Sequence, residues 1–399
     1  MGDVSEEAGC CEEGSGVRGM RLKDLGDYFI GLTYKPESVT KEGTIVLRSG
    51  NIQGGKLDLS DIIRVNTNIR EKQYVRPGDI LMCSRNGSAK LVGKSTLIPD
   101  IDEPMTFGAF MTVFRTPYNE YLRFFFRSDS FRKQLLSSKT TTINQITINM
   151  LDNIDIDLPE KSTRDERCAI LNRILKVIDA KEKQLSTLDN LIKARFVEMF
   201  GTIHDNKFAF RIMTIQDVCE PIKDGTHQTP EYTDDDENGF KFLSSKDVTS
   251  GRIDWNHLKF IPEKLHKELY SRIAPRKGDL LLAKNGTTGI AAIVDRDEVF
   301  DIYVSLALLR PTIVDSTYLW GAINSTETKE QFDASLKGIG VPNLHLGEIK
   351  KTRIIVPPIE KQQEFATFVT QINKSKSVIQ KSLDETQLLF DSLMQKYFG

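Results

Sequence analysis

Apolar and polar residues alternate in two different ways along the 399-residue chain. Short apolar runs separated by Gly, Pro, Asn and Asp recur in two long stretches, which is typical of β-strands joined by turns. The clearest runs are residues 45–47, 79–82, 110–114, 240–243 and 280–283. Aromatic-rich segments at 121–136 and 318–336 have the pattern of helices. Each stretch is therefore predicted to be a mixed α+β domain.

A helical pattern begins after Pro159 and again after Pro357, and each persists for about 35 residues. Apolar residues with a few polar interruptions recur there at alternating spacings of three and four, as in a coiled coil. The stripe comprises Ile170, Ile174, Val177, Lys181, Leu185, Leu188, Ile192, Arg195 and Met199, then Phe365, Phe368, Ile372, Ser375, Ile379, Leu383, Thr386, Phe390, Leu393 and Tyr397. We predict that the two helices pack together as an antiparallel coiled coil. The alternative is that each helix lies on its own domain.

The second half of the chain repeats the first. Residues 43–58 correspond to 239–254, residues 77–87 correspond to 277–286 with one residue deleted, and residues 144–159 correspond to 342–357. The offset of the last pair continues unchanged to the ends of both helical segments, so we infer that the helices tolerate no change in length. The predicted organisation is an acidic, disordered leader at 1–19, a first domain at 20–160, a first helix at 161–201, a second domain at 202–357 and a second helix at 358–399.

Composition narrows the classes of function. A formal net charge of −2 argues against a protein that coats DNA without regard to sequence, because neutralising phosphates requires Lys and Arg. No apolar run approaches the ~18 residues of a membrane span, so we predict no membrane partner. The five cysteines and five histidines have no metal-ligand spacing, which predicts no metal site and reduced thiols in the cytoplasm. Nucleotide-binding, methyltransferase and nuclease motifs are missing, so no catalytic residue and no cofactor are predicted.

Two features of the repeat are specific enough to indicate a family. One is a Gly-Asp-Ile/Leu-Leu string before a basic-Asn-Gly turn, at residues 78–87 and 278–286. The other is the passage through Pro159 or Pro357 into a Glu/Gln-rich helix start. With these features the chain from Met20 to Gly399 resembles the specificity (S) subunit of type I restriction-modification systems. Residues 160–165 depart from the fuller form of the helix start at 357–363.

The resemblance implies a sequence-specific DNA-binding subunit with two target recognition domains. Each domain would recognise one half of a split double-stranded DNA target, and the helices would set the gap. Two methyltransferase subunits, which carry the S-adenosylmethionine chemistry, would dock on the helices, and restriction/translocase subunits would complete the complex. The partner-binding candidates on the helices are Ile174, Leu185, Leu188, Ile192, Ile372, Ile379, Leu383 and Phe390.

The candidate DNA contacts are side chains that recognise base edges or phosphates, placed in the predicted turns. In the first domain they are Arg48, Ser49, Asn51, Arg85, Asn86, Ser88, Lys90, Lys94, Thr140, Thr141 and Thr142. In the second domain they are Thr226, His227, Gln228, Ser244, Ser245, Lys246, Lys284, Asn285, Thr287 and Thr288. For Asn86-Gly87 and Asn285-Gly286 a purely structural hairpin turn is an equally good interpretation.

Three alternatives stay open from the sequence. The chain could be a specificity subunit that serves a restriction system of another type. It could be a coiled-coil adaptor that binds proteins and does not recognise DNA. An enzyme is the least supported alternative, because no motif for catalysis was found.

Overall fold

The computed structural model describes residues 19–137, 145–233, 238–336 and 342–399. The predicted leader lies, except for Gly19, outside these residues. Contacts divide the chain into two units, one formed by residues up to 180 together with 383–399, and the other formed by residues 181–382. Each unit therefore contains one α+β domain and parts of both long helices.

The first unit begins with eleven strands in the described part of the chain. They are β1 (Gly19–Arg21), β2 (Asp27–Ile30), β3 (Val39–Thr40), β4 (Thr44–Leu47), β5 (Ile52–Gln53), β6 (Lys56–Leu57), β7 (Ile63–Val65), β8 (Ile80–Cys83), β9 (Ser95–Leu97), β10 (Met105–Phe107) and β11 (Met111–Arg115). Three helices, a strand and the first long helix follow. They are α1 (Asn119–Phe125), α2 (Asp129–Ser137), α3 (Ile148–Asp152), β12 (Asp155–Asp157) and α4 (Lys161–Phe200), of which the last continues into the second unit.

The second unit has a closely similar order of elements. They are β13 (Arg211–Thr214), α5 (Ile215–Val218), β14 (Cys219–Asp224), β15 (Phe240–Leu243), β16 (Lys259–Ile261), α6 (Glu263–Arg272), β17 (Leu280–Ala283), β18 (Ala291–Ile293), β19 (Phe300–Ile302), β20 (Leu306–Pro311), α7 (Ser316–Ile323), α8 (Thr326–Ser335), α9 (Leu346–Lys351), β21 (Arg353–Val356) and α10 (Ile359–Phe398). Helix α10 returns to the first unit at residue 383. No helix among the described residues is both long enough and apolar enough to cross a membrane.

The sheets confirm the repeat that the sequence predicts. An antiparallel sheet of order β2-β11-β8-β9 in the first unit matches β14-β20-β17-β18 in the second. A second sheet in each unit is built on a parallel pair, β4 with β10 and β15 with β19. The pairs β1-β12 and β13-β21 also correspond. Two domains of mixed α+β architecture are therefore confirmed.

Each predicted aromatic helix is in fact a pair of short helices. The segment 121–136 divides into α1 and α2, and the segment 318–336 divides into α7 and α8. In the second case the division has a clear cause, because the Ser325 hydroxyl accepts a hydrogen bond from the Thr328 amide and starts a new helix. The Asn324 side chain, just before it, donates to the carbonyl of Ala291 in β18. The first helix therefore ends here, because Asn324 ties its end to the sheet and Ser325 starts the second helix.

The Gly-Asp string forms the same buried ion pair in both units. The Asp79 carboxylate accepts two hydrogen bonds from Arg115, both of 2.7 Å. Asp279 accepts two from Arg310, of 2.8 and 2.7 Å. Both aspartates are almost fully buried, and the ion pairs raise the pKa of the two guanidinium groups. These pairs tie β8 to β11 and β17 to β20, so the string specifies the framework of the central sheet.

The glycine before each aspartate has a conformational role. Gly78 and Gly278 have φ angles of +87° and +90°, which favour glycine over other residues. The carbonyl of each accepts a hydrogen bond from the next helical segment, from Asn119 at 2.9 Å in one unit and from Ser316 at 2.7 Å in the other. The string is therefore a structural motif, which explains why both copies keep it.

The two long helices run antiparallel to each other in both units, as predicted. In the first unit, Phe390, Met394 and Phe398 of α10 pack in one core with Leu171 and Ile178 of α4. In the second unit the roles are exchanged. Ile192, Phe196 and Phe200 of α4 pack there with Phe365 and Val369 of α10. Each helix therefore supplies its first half to one domain core and its last turns to the other.

Close packing at the helix ends requires small residues beside the aromatic rings. The rings of Phe196 and Phe365 lie 5.4 Å apart in an edge-to-face arrangement. A Cβ atom on Gly321 of α7 would lie 2.8 Å from Phe196 and 2.9 Å from Phe365. Only glycine therefore lets α7 approach the crossing of α4 and α10 so closely.

The middle of the helix pair is polar. Lys376, nearly buried, pairs with Asp189 on the facing helix. Lys181 donates a 2.6 Å hydrogen bond to Ser382, and nearer one end of the pair Arg195 contacts Glu364 at 3.2 Å. Polar residues in the interface between two paired helices reduce stability but favour one alignment of the helices. These contacts therefore account for polar interruptions in the apolar stripe.

Replacing the buried carboxylate is predicted to destabilise the first unit strongly. Asp79→Asn leaves the Arg115 guanidinium without its counter-ion, and breaking one partner of a buried pair costs about 3 kcal/mol or more. The control is Asp155→Asn, because Asp155 pairs with Arg21 at 3.1 Å with both side chains exposed. Exposed pairs contribute about 0–1 kcal/mol. Chemical unfolding should separate the two variants, and equal stability would contradict the framework role.

Candidate nucleic-acid interface

Three loops meet at one end of the sheets in the first unit, and we call them the first edge. They are residues 48–53 after β4, residues 84–94 after β8 and residues 108–110 between β10 and β11. Side-chain contacts connect these loops to one another. Asn86 donates to the Ser49 hydroxyl at 3.1 Å, and the Lys94 ammonium lies 3.4 Å from the Gln53 side-chain oxygen. The structure thus brings most of the first-domain candidates together.

The corresponding loops of the second unit form a second edge. They are residues 244–247, 284–290 and 303–305, and in this unit we also include residues 224–228 at the end of β14. Backbone hydrogen bonds connect them, from Lys284 to the Ser305 carbonyl at 2.9 Å and from Val304 to the Thr226 carbonyl at 2.9 Å. The Ser245 amide donates to the Ser305 hydroxyl at 2.9 Å. The second-domain candidates therefore also converge.

Backbone contacts correct one detail of the predicted repeat. The Ser84 amide donates to the carbonyl of Phe110, and the Lys284 amide donates to that of Ser305. The next residues, Arg85 and Asn285, each form a bridge to the segment before α3 or α9. Arg85 is thus equivalent to Asn285, and not to Lys284 as the sequence alignment suggested. The deleted residue lies later in the loop.

Three predicted DNA contacts are buried, with their polar groups bonded within the chain. Asn51 donates to the carbonyls of Asp58 and Asp61 and accepts from the Arg48 amide, so it holds its own loop together. Thr226 is buried where the chain leaves β14 and accepts from the Gln228 amide. Lys284 is buried and donates to Asp224 at 2.9 Å. In all three cases the polar group of the side chain is hydrogen-bonded or ion-paired to another part of the chain.

The other predicted contacts differ in their accessibility. The exposed ones are Arg85, Ser88, Lys90, His227, Gln228, Lys246 and Thr287. The half-buried ones are Arg48, Ser49, Asn86, Lys94, Ser244, Ser245, Asn285 and Thr288. The candidates Thr140, Thr141 and Thr142 lie outside the described residues.

The two edges differ in charge. Arg48, Arg85, Lys90 and Lys94 make the first edge basic, and among the described residues Arg48 is paired with an exposed carboxylate, Asp61, at 3.1 Å. In the second edge Asp224 pairs with Lys284 and lies 3.2 Å from the exposed His227 ring. The capping carboxylate of Asp247 adds further negative charge. We expect phosphate attraction to be stronger at the first edge.

Sequence reasoning missed Asp224 and Phe110. Asp224 ends β14 and organises both Lys284 and His227. Phe110 was assigned to a strand, yet it lies in the turn before β11 and is 58% exposed. An aromatic residue at the edge of an apolar run gives no sequence signal of exposure. A glycine two residues earlier was the sole hint of a turn.

A small pocket lies beneath the second edge. It has a cavity volume of only about 10 Å³ and is lined by Asp224, Thr226, Arg272 and Asp301 among others. The Asp301 carboxyl and the His266 ring are joined by a 2.7 Å hydrogen bond. Burial raises the pKa of the Asp301 carboxyl to about 6. Small-molecule sites usually have about 300–1,000 Å³. The pocket therefore does not indicate a ligand of that size.

The predicted partner-binding residues differ in accessibility. Ile174, Ile192 and Phe390 are buried in the cores described above. Leu185, Leu188, Ile372, Ile379 and Leu383 are half-buried positions of the helical stripe. Leu383 and Ile372 pack against the first and second cores. The stripe was correctly predicted to be a packing surface, but it is used within the chain.

The chain is similar to proteins of one family over most of its length. A family model described as the type I restriction modification DNA specificity domain matches twice, at residues 15–190 and 209–386. The specificity subunit of the type I restriction enzyme EcoKI of Escherichia coli K12 is 23% identical over 394 residues, covering 92% of this chain and 84% of that protein. The StySPI specificity subunit of Salmonella potsdam is 24% identical over 393 residues, with the same coverage.

A solved structure shares the fold. The crystal structure of the type I restriction-modification S subunit from M. genitalium superposes with a TM-score of 0.51 at 14% identity. The match covers 97% of this chain and 98% of that one. At this level of identity the likeness supports the architecture.

Stability and DNA affinity should respond differently to two substitutions in the first edge. Asn51→Ala removes the donor to the carbonyls of Asp58 and Asp61. Since an intramolecular hydrogen bond contributes about 0.5–1.5 kcal/mol, the free energy of unfolding is expected to fall by roughly 1–3 kcal/mol. Lys90→Ala removes an exposed charge, so stability should change by less than about 0.5 kcal/mol. It should instead weaken DNA binding and make the salt dependence of the affinity shallower. A stable but binding-deficient Asn51→Ala protein would contradict the assignment.

Proposed function

The chain belongs to the family of type I restriction modification DNA specificity domains, and from that premise we propose that it recognises a bipartite DNA target and directs partner subunits to it. Sequence-specific DNA recognition follows from the family. The division of the target into two halves is our inference. Each edge would contact one half, and the chain itself would supply no catalytic group. We place this activity in the cytoplasm.

One observation carries the proposal of two half-sites. The two units share sheet order, the buried ion pairs and the backbone hydrogen bonds of the edges. The side chains on this common framework nevertheless differ, with Arg85 where the other unit has Asn285 and Ser84 where it has Lys284. A common framework with unlike side chains is what recognition of two unlike sequences requires. The accessible candidates named above, with Thr140 to Thr142, are the proposed DNA contacts.

We propose that two methyltransferase subunits dock on the outward faces of the long helices, and that restriction/translocase subunits join through them. Leu191 of α4 and Leu389 of α10 are both exposed and occupy the same position in the repeat. Val378 and Leu388 add exposed apolar surface to α10. Equivalent apolar positions on two helices fit two copies of one partner. These residues replace the buried ones in the predicted docking set.

Selection from random duplexes tests the proposed function. The chain is purified with its methyltransferase subunits, and bound duplexes are enriched and sequenced. Two conserved blocks separated by a spacer of fixed length are expected. A single block would contradict the bipartite target. An intact complex that enriches no sequence would favour the adaptor that does not recognise DNA.

The length of the paired helices is predicted to determine the spacer. Seven residues inserted after Asp179, and matched in α10 after Leu383, keep the apolar stripe in register. They lengthen each helix by about 10 Å, which corresponds to roughly three base pairs. The selected target should keep both blocks and gain spacer length. A two-residue insertion, the control, rotates the stripe by about 200° and should abolish the complex. An unchanged spacer with the seven-residue insertion would exclude the helices as the determinant.

A further inference from the structure

Phe110 is an exposed aromatic residue whose backbone is held unusually firmly. Its carbonyl accepts hydrogen bonds from the Ser84 amide at 2.9 Å, the Arg85 amide at 3.1 Å and the Ser84 hydroxyl at 3.0 Å. More than half of the side chain is nevertheless exposed. A fixed backbone under an exposed ring loses little conformational entropy on binding, which favours a contact surface.

The Arg85 side chain is ordered by the same ring. Its guanidinium carbon lies 5.3 Å from the centroid of Phe110, within the range of a cation–π interaction. Arg85 itself is exposed. Ile30, at the end of the adjoining strand β2, is also 58% exposed. The first edge thus presents an arginine beside an aromatic ring, and Ile30 is a second exposed apolar residue on the strand that pairs with β11.

Folding does not require these three residues. In the second unit, Ser305 occupies the position of Phe110, and Asn285 that of Arg85. Asp224 occupies the position of Ile30. Each of the two residues directly precedes a glycine whose backbone closely approaches the turn before β11 or β20. The same framework therefore forms with polar residues at all three positions. Exposed apolar side chains that the fold does not need indicate a function in binding.

We propose that Arg85 and Phe110 recognise a guanine and an adjacent thymine in the major groove of one half-site. Arginine can donate two hydrogen bonds to O6 and N7 of guanine. The C5-methyl of thymine is the apolar group that the major groove presents, and a phenyl ring contacts it favourably. This inference rests on the proposed function, because it assumes that the first edge faces DNA.

Modified bases test the assignment atom by atom. The target is first selected with the wild-type complex, as above. Each thymine is then replaced by uracil, which lacks the methyl group, and each guanine by 7-deazaguanine, which lacks N7. One thymine replacement and one adjacent guanine replacement should each lower the affinity of the wild-type complex about fivefold or more. Phe110→Ala should abolish the thymine effect, and Arg85→Ala should abolish the guanine effect.

Phe208→Ala is the matched control. Phe208 is also exposed and has an ammonium group, that of Lys207, 4.9 Å from its ring, but it lies outside both edges. This variant should keep both base preferences. Thermal unfolding of the three variants should show that none has lost its fold.

The possible outcomes separate this inference from the proposed function. If Phe110→Ala keeps the preference for thymine over uracil, the inference is wrong. In that case, weaker binding of the variant to both duplexes would indicate that the ring inserts between bases. A target without adjacent guanine and thymine would also overturn the inference. These results leave the bipartite function intact, whereas failure to select any sequence overturns both.

Discussion

The fold depends on sharing two long helices between two hydrophobic cores. Phe398 of α10 lies in the first core, where its ring is 4.9 Å from that of Tyr121. Phe200, its counterpart in the repeat, lies in the second core 5.0 Å from Tyr318. Both ends of α4 and both ends of α10 are therefore anchored. A residue inserted in one helix would turn one set of aromatic side chains away from its core, which explains why the helical segments have a fixed length.

Constant and variable parts of the repeat have different physical tasks. The ion pairs of Asp79 and Asp279 and the helix ends form the constant part, and they are buried. Loop edges form the variable part, where the backbone hydrogen bonds persist while the side chains change. This separation allows the side chains of one edge to change without loss of the framework. It also makes the chemistry of each edge largely independent of the other.

Much of this architecture could be predicted from the sequence because it depends on periodicity. The alternating stripe identified both helices and their packing, and the repeat identified two equivalent domains. Individual site residues were predicted less well. Polar type alone did not reveal that Lys284 pairs with Asp224, which is distant in sequence. It also did not reveal that Asn51 holds its own loop, because that depends on how the loop folds back on itself. Phe110 was missed for the converse reason, since an apolar residue near a strand is usually buried.

The central claim is that each edge recognises its own half of the target. It is tested most directly by exchanging residues 20–160 for the corresponding domain of a relative with a different target. The hybrid is expressed with the methyltransferase subunits, and the methylated sequences of the host DNA are determined by long-read sequencing. The account predicts that one half of the methylated target changes while the other half is retained. A change in both halves, or an unchanged target in an active complex, would contradict it.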